Sequence, residues 1–129
     1  HGDLFPDNVF FNNEGETPKL SGIIDFYFAA TDSLIFDFAI TVNAWCFDEK
    51  NNFEEEKLEQ MMAGYNQIRN FSNEELNFLK IALVASSLRF LLTRLHDKFY
   101  TPEDSLVTIK DPQEYLAKLR YFRSQISSK

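Results

Sequence analysis

A chain of 129 residues, 44% hydrophobic and 16% aromatic with 14 Phe, suffices for one packed domain and is too apolar for a disordered segment. Its net charge of −7 speaks against a basic groove for nucleic acid or anionic lipid. The single cysteine, Cys46, excludes an internal disulfide framework, and no uninterrupted apolar run reaches the roughly 20 residues of a membrane span, so the chain reads as cytoplasmic.

The chain opens on His1-Gly2-Asp3-Leu4-Phe5-Pro6-Asp7-Asn8. An Asp, an Asn five places later, and then Ile23-Ile24-Asp25-Phe26 with its Asp 17 residues beyond Asn8 form the acidic apparatus of phosphoryl transfer. In protein kinases that apparatus is H-R-D-x-x-x-x-N followed by D-F-G; here Gly2 replaces the Arg, and Asp25-Phe26-Tyr27 replaces D-F-G. The spacing answers a need for charge control. A nucleoside triphosphate brings several negative charges, and Mg²⁺ offsets them. Mg²⁺ takes hard oxygen ligands at about 2.0–2.1 Å and few of them from protein. Asn8 offers a neutral carbonyl oxygen and Asp25 an ionised carboxylate. Asp3 stays free of metal, orients the attacking hydroxyl and accepts its proton. Asp, Asn, Gly and Pro also cluster in ordinary turns, and D-x-x-x-x-N alone would read as one. His1-Gly2 before it, Val9-Phe10-Phe11 after it and the later Ile-Ile-Asp-Phe decide for chemistry. A chain that starts at His inside such a motif reads as a fragment whose upstream part lies elsewhere.

Residues 9–11 predict a short strand, 12–15 a turn and 20–25 a second strand, with Gly22 allowing a bend. Paired as a β-hairpin, they bring Asn8, where one strand begins, beside Asp25, where the other ends. Thr31-Asp32-Ser33 predicts a helix start with Asp32 as its cap, and the helix runs to about Cys46. Leu34, Ile35, Phe38, Ala39, Val42 and Trp45 are its apolar positions. Asp37 lies within that stripe, which points to a buried, hydrogen-bonded carboxylate. After a polar turn at 48–52, a second helix over 53–70 turns Leu58, Met61, Met62, Tyr65 and Ile68 inward, and its leading run of Glu is a solvated start that suits the helix dipole. Ser72-Asn73-Glu74-Glu75 is a capping box. The helix it opens spans 73 to about 96, with 81–92 apolar nearly all round and so central. A loop at Thr101-Pro102 follows. Asp111-Pro112 then starts a last helix with Tyr115, Leu116, Leu119 and Phe122 on its apolar face, and 124–129 form a polar tail.

His1-Gly2-Asp3-Leu4 with Asn8, then Ile24-Asp25-Phe26, resembles the aminoglycoside phosphotransferase and choline kinase-like superfamily. Asp3-Leu4-Phe5 with Asp7-Asn8-Val9, the stretch Leu20-Ser21-Gly22-Ile23-Ile24-Asp25-Phe26-Tyr27-Phe28-Ala29, Thr41-Val42-Asn43-Ala44-Trp45-Cys46 and Leu88-Arg89-Phe90 are more narrowly similar to the monomeric-type homoserine kinases of threonine biosynthesis. The resemblance implies a mainly α fold with a small β-hairpin, the C-terminal helical lobe of a protein-kinase-like (aminoglycoside phosphotransferase-like) fold. Residues 1–30 carry the catalytic loop and metal-binding hairpin, and 31–129 the helical subdomain. It implies Asp3 as catalytic base, Asn8 and Asp25 as Mg²⁺ ligands, Asp37 (with His1) as support of the catalytic loop, and ATP as phosphoryl donor. Phe5 departs from the His of many superfamily members, which makes an aminoglycoside less suitable as substrate. The glycine-rich loop, strand Lys and partner Glu that precede the catalytic loop in kinases are missing. The chain is thus expected to need an N-terminal nucleotide-binding lobe as its main structural partner and to turn over little alone.

The carboxylate of homoserine calls for Arg, whose fork binds both oxygens. Arg89 and Arg94 interrupt an apolar helix; either they meet substrate, or they form internal salt bridges (with Asp97 or Asp37, for example) or snorkel to solvent. Asn43 and Trp45 on a facing helix are weaker candidates for a pocket wall, and Tyr27, next to Asp25, lines the site or packs. His96 reads as a helix-end residue. The expected reaction is ATP-dependent phosphorylation of the homoserine hydroxyl. The alternatives are another small hydroxylated metabolite or an aminoglycoside, or a non-catalytic kinase-like binding module, against which the intact Asp3, Asn8 and Asp25 speak.

Overall fold

The computed structural model describes residues 1–102, 105, 106 and 108–127. One 3₁₀ turn at Pro6–Asn8 leads into a hairpin of β1 (Val9–Asn12) and β2 (Lys19–Ile23), followed by four helices: α1 (Leu34–Trp45), α2 (Glu55–Ile68), α3 (Asn73–Tyr100) and α4 (Pro112–Ser127). The protein is therefore mainly helical with a two-stranded antiparallel sheet, as its periodicities predict.

The strands pair Val9 with Ile23, Phe10 with Gly22, Phe11 with Leu20 and Asn12 with Lys19, so Ser21 is the extra residue of a bulge. β2 ends two residues before the predicted limit. Ile24 still donates its amide to the Asn8 carbonyl at 3.0 Å, whereas Asp25 has left the ladder with φ +62°. The hairpin therefore ends with Asp25 one residue past the partner of Asn8.

α1 carries the densest part of the core. Ile35, Phe38, Ala39, Val42 and Cys46 pack with Leu79, Ala82 and Leu83 of α3 and Phe122 of α4. Ile40 joins Phe90, Leu91, Tyr115 and Leu119 in a second cluster, onto which Phe5 packs from the loop of residues 1–8. α2 covers the first cluster through Leu58, Met61, Met62 and Tyr65. Tyr65 stacks on Phe71 at 4.5 Å between centroids, and both rings meet Phe38 edge-on.

Asn43 is fully buried. Its amide nitrogen donates to the Ala39 and Leu83 carbonyls and to Ser86 Oγ (3.1, 3.2 and 2.9 Å). Its Oδ1 accepts from Ser87 Oγ at 2.8 Å, and its main-chain carbonyl accepts from Lys118 Nζ at 2.8 Å. One residue thus ties α1, α3 and α4 together with its polar groups satisfied.

The local start signals hold at two of three helices. Ser72 Oγ accepts from the Glu75 amide while Glu75 Oε2 accepts from the Ser72 amide, a complete capping box. α4 begins at Pro112, and Asp111 Oδ1 accepts from the Gln113 amide at 2.9 Å. At α1 the cap position is Ser33, not Asp32; the Asp32 carboxylate instead accepts from the Ser33 amide next door.

Several expectations need correction. α2 begins at Glu55 because Phe53 is held in a bridge with Phe47. Ile68 points to solvent at 92% exposure, at the last residue of α2 where the chain already turns away. α3 runs to Tyr100, 28 residues, and α4 through Ser124 to Ser127, since nothing in their polar ends breaks a helix; Ser128 and Lys129 of the expected tail lie outside the described residues. Segment 81–92 is not buried all round: Ile81, Leu88 and Leu92 are exposed, because α1 and α4 cover only part of the surface of α3. Among the described residues α3 alone is long and apolar enough by length and mean hydropathy to cross a membrane; in this fold it is the helix on which α1 and α4 pack.

Candidate active site

The loop of residues 1–8 is held from both sides by the helices beneath it. On α1, Asp37 accepts from the Gly2 amide at 2.7 Å with Oδ1 and from the His1 main-chain nitrogen, here the amino terminus, at 3.1 Å with Oδ2. Two turns further along α1, Trp45 Nε1 donates to the Leu4 carbonyl at 2.8 Å. On α3, Arg89 donates to the Gly2 carbonyl at 3.1 Å. Gly2 itself has φ +77°, and a Cβ there would stand 2.6 Å from the Phe28 carbonyl oxygen. No other residue combines that conformation with that approach, which explains why Gly stands where kinases carry Arg.

His1 joins the loop to the end of the hairpin. Its Nδ1 accepts from the Asp3 amide at 3.3 Å, so Nε2 carries the proton and donates to the Ile24 carbonyl at 3.0 Å. Asn8 Nδ2 donates to the Asp3 carbonyl at 2.9 Å. That bond fixes which end of the amide is the nitrogen and leaves Oδ1 as the free oxygen of the side chain.

Asp3, Asn8 and Asp25 line one cavity of about 410 Å³. The hairpin contributes Asn8 and Asp25, the loop Asp3, and α3 contributes Arg89, Thr93, Arg94 and Asp97, while Lys110 enters from the α3–α4 connection. Burial pushes the Asp3 carboxyl above its ordinary pKa; the nearby Asp25 charge adds to the rise, and Arg89 and Lys110 oppose it. Asp25 is exposed and holds a left-handed backbone that few non-glycine residues adopt, a strain of the kind that gathers at functional sites.

Two hard oxygens, one amide and one carboxylate, suit Mg²⁺ that completes its shell with phosphate and water. Among the described residues no three His, Cys, Asp or Glu side chains cluster as a protein-only metal cage. The donor set thus fits an ion delivered with a nucleotide better than a resident one.

The remaining predicted residues divide. Arg89 and Arg94 both line the cavity. Arg94, however, is buried against the Tyr115 ring and donates to Glu114 Oε2 at 2.6 Å and the Asp111 carbonyl at 2.9 Å. It has an internal ion pair, with Glu114 in place of the anticipated Asp97 or Asp37. Asn43 lies in the helical core and Trp45 under Leu4, neither among the cavity walls. Tyr27 is 85% exposed beside Asp25 and meets Phe28 edge-on. His96 is exposed on α3 against Tyr100. Lys110 escaped the sequence reading because it sits in a connection without periodicity; only the helix start at Asp111-Pro112 next to it marks where it is anchored.

A family model described as "Phosphotransferase enzyme family" matches residues 1–71. The chain is 50% identical to a homoserine kinase of Gluconobacter oxydans (strain 621H) over 124 residues, covering 96% of this chain and 38% of that protein. It is 47% identical to a homoserine kinase of Sinorhizobium medicae (strain WSM419) and 50% identical to one of Rhizobium etli (strain CIAT 652), each over 128 residues, 99% of this chain and 38% of the relative. The chain thus spans 38% of the length of these curated relatives. Motif, cavity and family model agree: the chain belongs to the phosphotransferase enzyme family.

Proposed function

We propose that this chain is the helical, catalytic portion of an ATP-dependent kinase that phosphorylates the hydroxyl of L-homoserine. The observation that carries this is the convergence of Asp3, Asn8 and Asp25 on one cavity that also holds Arg89. Asn8 Oδ1 and the Asp25 carboxylate would hold Mg²⁺, which, when bound, would offset the charge of the triphosphate. Asp3, kept off the metal, accepts the proton of the acceptor hydroxyl as its oxygen forms a bond to the γ-phosphorus; the bond from that phosphorus to the bridging oxygen breaks and ADP leaves. A base with a raised pKa takes that proton more readily than an ordinary carboxylate. Asp37, Trp45 and His1 do not touch reactants; they hold the loop that carries Asp3.

The 47–50% identity to homoserine kinases supports the acceptor, and Arg89 supplies a guanidinium for its carboxylate. Further chain is expected to supply the nucleotide-binding lobe. The 38% span of the relatives supports this, as do the exposed Phe10, Phe11, Leu20 and Phe26 on and beside the hairpin. The test is ATP-dependent phosphorylation of a panel of small alcohols by the complete polypeptide and by residues 1–129 alone. L-Homoserine is expected to be the preferred substrate of the complete protein, with the shorter chain near background. Preference for an alcohol without a carboxylate would overturn the substrate, and full activity of residues 1–129 would overturn the need for a second lobe.

A further inference from the structure

Three cations among the described residues line the cavity: Arg89, Arg94 and Lys110. Arg94 is already ion-paired with Glu114, and its bond to the Asp111 carbonyl pins the end of the α3–α4 connection. Arg89 is different. Among the described residues its guanidinium has no carboxylate within ion-pair distance; it donates to the Gly2 carbonyl and lies 4.9 Å and 5.7 Å from the ring centroids of Phe90 and Phe28. A guanidinium has five N–H donors, so most of its fork remains for a ligand. Lys110 directly precedes the residue that Arg94 pins. Its ammonium stands 5.4 Å from the Phe5 ring centroid and 3.6 Å from Asp7 Oδ2, beyond hydrogen-bond length, with both side chains largely exposed. Asp7 is thus its solvent-exposed ion-pair partner, and among the described residues the ammonium makes no hydrogen bond.

We propose that Lys110 and Arg89 together form the subsite that holds the carboxylate of the acceptor alcohol beside Asp3, with Arg94 fixing the segment that carries Lys110. This assignment rests on the cavity being the acceptor site. It adds Lys110 to that reading as a residue that selects the acceptor, a small alcohol whose hydroxyl and anionic group fit one cavity of about 410 Å³, and not a polycationic one.

The experiment compares L-homoserine with 3-aminopropan-1-ol, which keeps the hydroxyl and ammonium but lacks the carboxylate, on the complete polypeptide. Lys110→Met is expected to lower the preference for homoserine, as a ratio of kcat/KM values, about tenfold, the scale of one lost charge-assisted hydrogen bond. The loss should appear in KM for homoserine and not in KM for ATP, and Lys110→Arg should recover most of it. An unchanged ratio in Lys110→Met, with a parent active on homoserine, overturns the Lys110 assignment alone. A KM for ATP that rises in step assigns Lys110 to the nucleotide phosphates and also overturns it. A parent that phosphorylates neither alcohol overturns the reading of the cavity itself.

Discussion

The Gly2 amide nitrogen lies 2.7 Å from Asp37 Oδ1, and the other oxygen of the same carboxylate accepts from the main-chain nitrogen of His1. One side chain on α1 thereby fixes the two residues before Asp3. Asp37→Ala removes both bonds and is expected to cost roughly 1.5–3 kcal/mol of stability, the range for hydrogen bonds to a charged group. In the complete protein kcat should fall further than KM for ATP rises, because the loop that carries Asp3, the proposed base, is loosened. Urea unfolding and steady-state kinetics check the two halves; unchanged unfolding would refute the clamp.

Gly2 is constrained twice, by φ +77° and by the Phe28 carbonyl oxygen 2.6 Å from any Cβ. Gly2→Ala should cost about 1 kcal/mol from the left-handed backbone alone, and more from the contact. Gly22, with open space around its Cβ direction, is the control. Gly22→Ala should leave the melting temperature within a degree or two. Equal effects of the two substitutions would contradict this account.

Glu114 is the shared partner of two buried cations, Arg94 and Lys118. Burial alone would push its carboxyl up, but the hydrogen bonds from Lys118 and Arg94 outweigh that and hold it below its ordinary value of 4.5. A carboxyl lowered by folding contributes stability that is present above 4.5 and lost as pH falls through the folded value. Glu114→Gln should therefore cost roughly 3 kcal/mol at pH 7, the low end for a broken buried pair because the carboxylate is partly exposed. Its stability should also depend less on pH below 4.5 than that of the parent, as read by chemical unfolding across pH.

Asp3 has the opposite sign. Its folded pKa is raised above 3.8 by burial and by Asp25, so its ionised form opposes folding once pH exceeds 3.8. Asp3→Asn is expected to be more stable than the parent at pH 7, with the difference shrinking as pH falls through the raised folded pKa and essentially gone below 3.8. In the complete protein the acid limb of kcat/KM should lie above that same value. A less stable Asp3→Asn at neutral pH would show that the carboxylate serves folding instead of chemistry.

Much of this was legible from local chemistry. The hairpin, the capping box at Ser72, the Pro112 start and the gathering of Asn8 with Asp25 follow from turn residues, spacing and strand pairing, all short-range. Long-range partners were not legible. That Arg94 would find Glu114, that Trp45 would support Leu4 instead of lining a wall, and that Asn43 would join three helices depend on how α1, α3 and α4 cross. Lys110 was hidden for the same reason: only the packing of α3 on α4 brings that connection back to Asp3. The exposure of Ile81, Leu88 and Leu92 reflects which neighbours a helix has, which periodicity does not state.

Asp3, Asn8 and Asp25 line one cavity, and the proposed function divides the labour between them: Asn8 and Asp25 for the metal, Asp3 for the proton. The most direct measurement pairs kcat with Mg·ATP affinity for Asp3→Asn and Asp25→Ala in the complete protein. Asp3→Asn should lower kcat by at least about a hundredfold, the lower bound for a general base, with Mg·ATP binding nearly unchanged. Asp25→Ala should weaken Mg·ATP binding, and excess Mg²⁺ should partly restore it. Equal and mild effects of both substitutions on both quantities would contradict the account.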